Sequence, residues 1–319
     1  MHRSPPLSDV ADPPTRQSIR ETTELIRPFV RLTPTVEYGD DSGGVPPVVL
    51  KLESMQHAGS FKTRGAFSNL AHRLVPAGGV VAASGGNHGA AVAYAAKRFG
   101  IPATIFVPAI SSPAKIARIR EYGAELVVTG TSYAEALDAS ERWAADRDVL
   151  AIHAFDQLET IVGQGTLAQE LEEQLPDVDI VLAAVGGGGL LAGIAAWFGR
   201  RARIVGVEPV RAPTLTRAVE AGHPVDADGG GIAADSLAPL RVGERVFALV
   251  QPVLDRTVLV TDDDIVAAQR HLWEKLRVVA EPGGATAFAA VLSGAFVPPP
   301  GARVAVVVSG GNTTAVEFK

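Results

Sequence analysis

Short apolar runs alternate with amphipathic, alanine-rich stretches along most of the chain. Val48–Glu53 (VVLKLE), Val80–Ala83, Ala103–Val107 (ATIFV), Glu125–Thr129 (ELVVT) and Val149–His153 (VLAIH) read as strands. So do Asp179–Val185 (DIVLAAV), Arg203–Val207 (RIVGV) and Arg303–Val308 (RVAVVV). These are near-continuous apolar runs, the pattern of strands covered on both faces. Between them lie helical stretches. Ala90–Gly100 closes on a C′ glycine. Pro113–Tyr122 has Ser112 as N-cap and Pro113 in its first turn, and Gly123 ends it. Tyr133–Arg147, Thr166–Leu175 and Leu190–Phe198 follow. Asp262–Asp264 precedes a helical pattern, and its charge suits an N-terminal cap and the helix dipole better than metal binding. The alternation predicts an α/β fold on a mostly parallel sheet, with ligands at the carboxyl ends of the strands.

At 319 residues the length suggests about two domains. A hydrophobic fraction of 47% with 20% charged residues is enough for a sizeable core and argues against general disorder. The net charge of −6 argues against a nucleic-acid partner. The absence of cysteine excludes disulfides, thiolate metal sites and a cysteine nucleophile. It is compatible with a reducing cytoplasm, which is the expected location. No apolar stretch is long enough to predict a membrane span. The first fourteen residues hold four prolines and no apolar signal-peptide core, so residues 1–16 read as a loose tail.

Four glycine-rich or lysine-bearing segments carry the candidate chemistry. In Val185–Gly193 (VGGGGLLAG) a strand feeds glycines that feed a helix. Main-chain N–H groups and the helix dipole make a phosphate site there. Gly187, Gly189 and Ala192 also fit G-x-G-x-x-A, with Glu208 ending the next strand, which keeps an NAD-dependent oxidoreductase open. In Gly59–Ala66 (GSFKTRGA), Lys62 is either a solvated helix-start lysine or an amine nucleophile whose pKa is lowered by apolar and cationic neighbours, Arg64 among them. Ser84–Gly89 (SGGNHG) repeats the strand–glycine–helix form, with donors suited to a carboxylate or simply to capping. Ser309–Asn312 (SGGN) follows the last strand and is either a surface loop or a single hydroxyl delivered to a ligand. The seven histidines show no zinc-binding spacing, and His153, His223 and His271 read as structural or exposed. No G-x-S-x-G elbow or P-loop is present.

Taken in order, KLESMQHAGSFKTRGA, ASGGNHGAAVAYAA, PATIFVP, GQGTLAQEL, VGGGGLLAG, VGVEP and VVVSGGN resemble the fold-type II pyridoxal-phosphate enzymes. The likeness is nearest to the serine/threonine dehydratase (threonine ammonia-lyase) and serine racemase branch, and it spans about Thr33 to Asn312. The resemblance implies an α/β, tryptophan synthase β-like fold of two domains, each a mostly parallel sheet flanked by helices. The large cofactor-binding domain would be 1–77 with 152–319, and the small one, bearing the substrate loop, 78–151. It implies that Lys62 holds pyridoxal 5'-phosphate as a Schiff base and acts as general base. Phe61 would pack on the ring, Gly186, Gly187, Gly188, Gly189 and Leu190 would hold the phosphate, Asn87 would touch the ring hydroxyl, and Ser309 would meet the pyridine nitrogen. Ser84, Gly85, Asn87 and His88 would grip the substrate carboxylate.

The implied reaction is loss of water from L-threonine or L-serine, giving 2-oxobutyrate or pyruvate and ammonia. Serine racemase and 3-hydroxyaspartate dehydratase remain as alternatives. A small hydroxy amino acid is the expected partner, with a homodimer implied by the family. The sequence departs from the pattern in three places. Metal-binding members place a carboxylate six residues after the glutamate of VEP. Here Thr214 follows Glu208 at that spacing, so no metal site is expected. Racemases carry a second serine in S-S-G-N-H, whereas this loop reads Ser84-Gly85-Gly86-Asn87-His88. Only seven residues follow SGGN, so no C-terminal regulatory domain is expected.

Overall fold

A computed structural model describes residues 13–39, 44–109, 111, 113–237 and 239–316. The strands are β1 (Thr35–Tyr38), β2 (Val48–Leu52), β3 (Val80–Ala83), β4 (Ala103–Val107), β5 (Glu125–Val128), β6 (Leu150–Ala151), β7 (Ile180–Ala184), β8 (Arg203–Pro209), β9 (Leu254–Val260) and β10 (Val304–Val308). They form two sheets. The six-stranded sheet has the order β1-β2-β10-β7-β8-β9, and the four-stranded sheet β5-β4-β3-β6. Every pairing is parallel except β1 with β2.

β2, β7 and β10 are buried along their whole length, as the apolar runs of β7 and β10 require; in β2 the buried run includes Lys51. One face of their sheet packs on the helices Leu158–Gln174 and Gly189–Phe198. The other packs on Asp262–Leu276 and Pro282–Leu292. A third core joins β3 and β4 to the helices Lys62–His72 and Asn87–Phe99. The acidic run at 262–264 does cap its helix: Thr261 and Asp264 form a reciprocal capping box.

Several expectations need correction. The helix expected at Thr166–Leu175 begins at Leu158, so GQG lies inside it rather than before it. Glycine is a poor helix former, but here close packing overrides propensity. The Cβ that Gly163 lacks would stand 2.7 Å from the Cα of Gly65 on the 62–72 helix. A Cβ on Gly193, in the 189–198 helix, would stand 2.5 Å from the Gly165 nitrogen. The helix 158–174 thus holds the helix 62–72 on one side and the helix 189–198 on the other.

The strand expected at Val149–His153 is only Leu150–Ala151, because the chain then turns into a loop around His153. That imidazole's Nδ1 accepts from the Phe155 and Asp156 amides, so His153 is structural. The helix expected from Ala90 begins at Asn87. The loose tail does not reach residue 16. Thr15 caps the helix Arg16–Ile26 in a capping box with Ser18, and Arg16 pairs with Glu172 at 2.8 Å. Residues 1–12 and the N-cap expected at Ser112 lie outside the described residues.

Candidate active site

Three carboxyl ends of strands converge on one cavity. β3 leads into Ser84–His88, β7 into Gly186–Gly189 and β10 into Ser309, and residues of all three segments line it. Phe61 and Lys62 line the same cavity. They reach it because the chain before the 62–72 helix pairs with the chain after β10. Ser60 bridges to Gly310, and the Phe61 amide donates to the Ser309 carbonyl at 3.2 Å.

Lys62 Nζ donates to the Ala154 carbonyl at 2.7 Å and stands 5.2 Å from the centre of the Phe61 ring. Burial alone lowers this amine to about 8. The reading as a solvated surface lysine is therefore overturned. Arg64, the expected cationic neighbour, has no part in that shift. Its guanidinium turns into the interior, where Nε and Nη2 meet Glu53 at 2.9 and 2.8 Å and Nη2 meets Glu170 at 2.9 Å. Lys51 completes this buried cluster through Glu170. Burial opposes the Arg64 charge, but the two carboxylates outweigh it and raise its pKa. The cluster fixes the helix two residues beyond Lys62.

Gly188 opens the 189–198 helix in the left-handed region (φ 84°), a conformation that glycine adopts without a Cβ penalty. The first-turn N–H groups of that helix have no partner within the helix itself, and the dipole favours an anion at this end. A Cβ on Gly187 would overlap the Phe155 ring, so the bare backbone is what fits there. Ser309 is buried, and its hydroxyl makes one long bond, 3.4 Å, to the Gly283 carbonyl. His88 is buried against the Ile152 carbonyl; burial and the Lys62 charge lower its pKa to about 3, so it is neutral.

Gly85 is the one expected site residue outside the cavity lining. Its φ is not left-handed, but the Ser111 hydroxyl fills the place a Cβ would take. The dinucleotide reading also fails. Glu208 is fully buried, and its oxygens accept from Thr214 Oγ1 and from Leu215 N at 3.1 and 2.7 Å, and from Thr216 N and Oγ1 at 2.9 and 2.7 Å. It anchors the helix Thr214–Ala221 and has nothing left for a ribose. The same bonds occupy the Glu208 oxygens that a divalent cation would use there. Among the described residues no group of three or more His, Asp or Glu could hold a metal.

The cavity also has walls that no sequence argument singled out: Tyr133, Phe155, Asp235, Ser236, Leu237 and Glu281. Glu281 opens a helix as Glu-Pro, which in sequence is indistinguishable from an ordinary N-terminus. Asp235 stands in an irregular segment with no motif. The cavity as a whole offers a buried amine, an anion cradle and a lone hydroxyl, a donor set that fits pyridoxal phosphate.

A buried lysine amine sharing a cavity with a glycine cradle at strand ends defines a cofactor-dependent α/β enzyme, and comparison with known proteins agrees. Residues 26–310 match the pyridoxal-phosphate-dependent enzyme family. The chain belongs to that family. An L-threonine ammonia-lyase of Thermotoga maritima is 36% identical over 307 residues, covering 93% of this chain and 75% of the relative. A phenylserine dehydratase of Ralstonia pickettii is 37% identical, covering 97% of each. Among solved structures, maize serine racemase superposes with a TM-score of 0.88 at 33% identity, covering 94% of both chains. A T.th. threonine deaminase superposes at 0.87 with 34% identity, covering 96% of this chain and 100% of that one. No described helix is long and apolar enough to cross a membrane.

Proposed function

We propose that the protein is an ammonia-lyase that removes water from a small neutral L-β-hydroxy amino acid, serine or threonine, leaving pyruvate or 2-oxobutyrate and ammonia. The observation that carries this reading is the charge of the cavity wall. Among its described lining residues Lys62 is the one cation, beside Asp235 and Glu281. The nearby Lys115 is already paired with both carboxylates. A substrate with a second carboxylate, such as 3-hydroxyaspartate, would find no cation to hold it, which favours neutral side chains.

Gly186 to Leu190 would hold the cofactor phosphate on the helix N-terminus. Phe61 would pack on the ring, Asn87 would meet the ring hydroxyl, and Ser309 would offer the pyridine nitrogen a neutral partner. Pyridoxal phosphate supplies an electron sink at the substrate Cα. Ser84, Asn87, His88 and the main chain of Gly85 hold the substrate carboxylate. The Lys62 amine, already inclined to the neutral form, takes the Cα proton. Residues 78–151 form the smaller domain carrying that carboxylate loop, and 1–77 with 152–319 the larger. Supporting this division, the four-stranded sheet lies wholly within 80–151 and the six-stranded sheet wholly outside it.

The test is keto acid released from L-serine, L-threonine, phenylserine and 3-hydroxyaspartate by protein reconstituted with pyridoxal phosphate. Turnover of serine or threonine well above 3-hydroxyaspartate is expected. A preference for the acidic substrate, or no absorbance from bound cofactor, would refute the reading.

A further inference from the structure

Glu281 is 1% exposed, yet its carboxyl forms part of the cavity wall. It occupies the N-cap position of the 282–292 helix but makes no side-chain capping bond. Its oxygens are used elsewhere. Oε1 accepts from Asn87 Nδ2, and Oε2 lies 3.5 Å from Lys115 Nζ. The other end of the Asn87 amide is held too: its Oδ1 accepts from Asn312 Nδ2 at 2.7 Å. Asn312 is itself tied to the Ala58 carbonyl at 2.8 Å and to Arg118. Asn87, which opens the helix behind the Ser84–His88 loop, is therefore gripped by two distant parts of the chain. Burying a carboxyl costs free energy that a neutral side chain would avoid, and no helix cap is gained for it.

We propose that Glu281 is a positioning residue, whose carboxylate holds the Asn87 amide in one orientation toward the cofactor ring and so sets the substrate loop before substrate arrives. The inference rests on the lyase reading of the cavity. Charged and titratable groups face Glu281 from each side. Lys115 comes from the helix Pro113–Glu121 and Asp235 from the 231–237 segment. His88 and Lys62 share the cavity wall. Burial pushes the Glu281 carboxyl up to about 7, with Asp235 adding to the shift and Lys115 and Asn87 opposing it. Protonation therefore falls near neutrality and weakens the charge-assisted bond that Asn87 donates to the carboxylate.

The linkage has a definite sign. Folded Glu281 binds a proton more tightly than the unfolded carboxyl, so its contribution to stability is complete below about pH 4.5 and is lost as pH rises through about 7. Glu281→Gln should flatten that fall. The melting temperature of the variant, relative to the unsubstituted protein, should be higher at pH 8 than at pH 5.

The test pairs Glu281→Gln with Asn87→Ala in protein loaded with pyridoxal phosphate. Four quantities are measured between pH 5.5 and 9: melting temperature, cofactor affinity, the cofactor absorption band and kcat/KM. In the unsubstituted enzyme kcat/KM should fall on the acid side of about pH 7. Glu281→Gln should lower it about 10- to 100-fold at pH 8 and abolish that acid limb while still binding cofactor, with Glu281→Asp restoring part of the rate. Asn87→Ala should abolish the limb as well, and the double variant should be little worse than the worse single one. An acid limb centred near pH 7, apart from any that Lys62 gives near 8, that survives in either variant, or losses that multiply in the double variant, would overturn the inference and leave the lyase reading standing. An unsubstituted protein that binds no cofactor or releases no keto acid would defeat the lyase reading itself.

Discussion

Lys62 points its side-chain nitrogen at the Ala154 carbonyl, 2.7 Å away, in the cavity that the glycine cradle also lines. That carbonyl accepts from the amine in either protonation state, so it holds the group in place without holding its charge. Lys62→Ala should bind pyridoxal phosphate without the yellow absorbance of the bound form and lose at least about 10²–10⁴-fold in turnover. With the amine lowered to about 8, the neutral form needed to capture the cofactor gains population as pH rises through that value. Stopped-flow absorbance should show capture accelerating from pH 6 through about 8, half-maximal there, and levelling about a unit higher. A colourless Lys62→Ala retaining a tenth of the rate, or a flat pH dependence of capture, would contradict this.

The buried cluster of Arg64, Glu53, Glu170 and Lys51 makes a prediction about stability. Removing one partner of a buried ion cluster leaves a charge without compensation, typically at a cost of about 3–5 kcal/mol. Arg64→Ala should lose stability of that order in urea unfolding. A loss below about 1 kcal/mol would mean that water enters and solvates the carboxylates.

Glu208 has both oxygens engaged by Thr214, Leu215 and Thr216. Dialysis against a chelator should therefore leave kcat within about twofold, since hard divalent cations need free oxygen ligands. A large loss restored by Mg²⁺ would require other residues to complete a metal site.

By likeness to the racemase loop, Gly85 takes the place of the far-face proton donor, so elimination without racemisation is expected. Returning a proton to the far face of Cα needs a donor there, and Gly85 has no side chain. Chiral chromatography of residual serine should find D-serine forming far more slowly than pyruvate. Gly85→Ser should add little racemisation unless Ser111 moves aside, because the Ser111 hydroxyl occupies the space of the new Cβ. D-serine appearing as fast as pyruvate would reverse the assignment.

The fold was legible where burial is two-sided. β7 and β10 stand in sequence as continuous apolar runs and β2 as one broken only by Lys51, and each lies within about a residue of its expected bounds. The glycine segments were legible for a related reason, since a turn without side chains between strand and helix has few other uses. Short or amphipathic pieces were not. β9 (LDRTVLV) mixes charge with apolar residues because it is an edge strand. The 158–174 helix carries two glycines that local propensity counts against it. Glu281 and Asp235 were missed because their importance comes from packing between distant segments, which leaves no local spacing to read.

The glycine contacts along the 158–174 helix have a mechanical consequence. The lysine and the anion cradle ride on helices that touch the same rod at sites two residues apart, backbone against backbone. Such contacts have no side chains that could slide or re-pack. The span between amine and cradle is thus fixed like the gap of a caliper whose jaws share one beam. The loop at Ser84–His88 hangs on the other sheet, off that beam. The carboxylate grip is tied to that gap only indirectly, through the third core that packs its helix against the lysine's own.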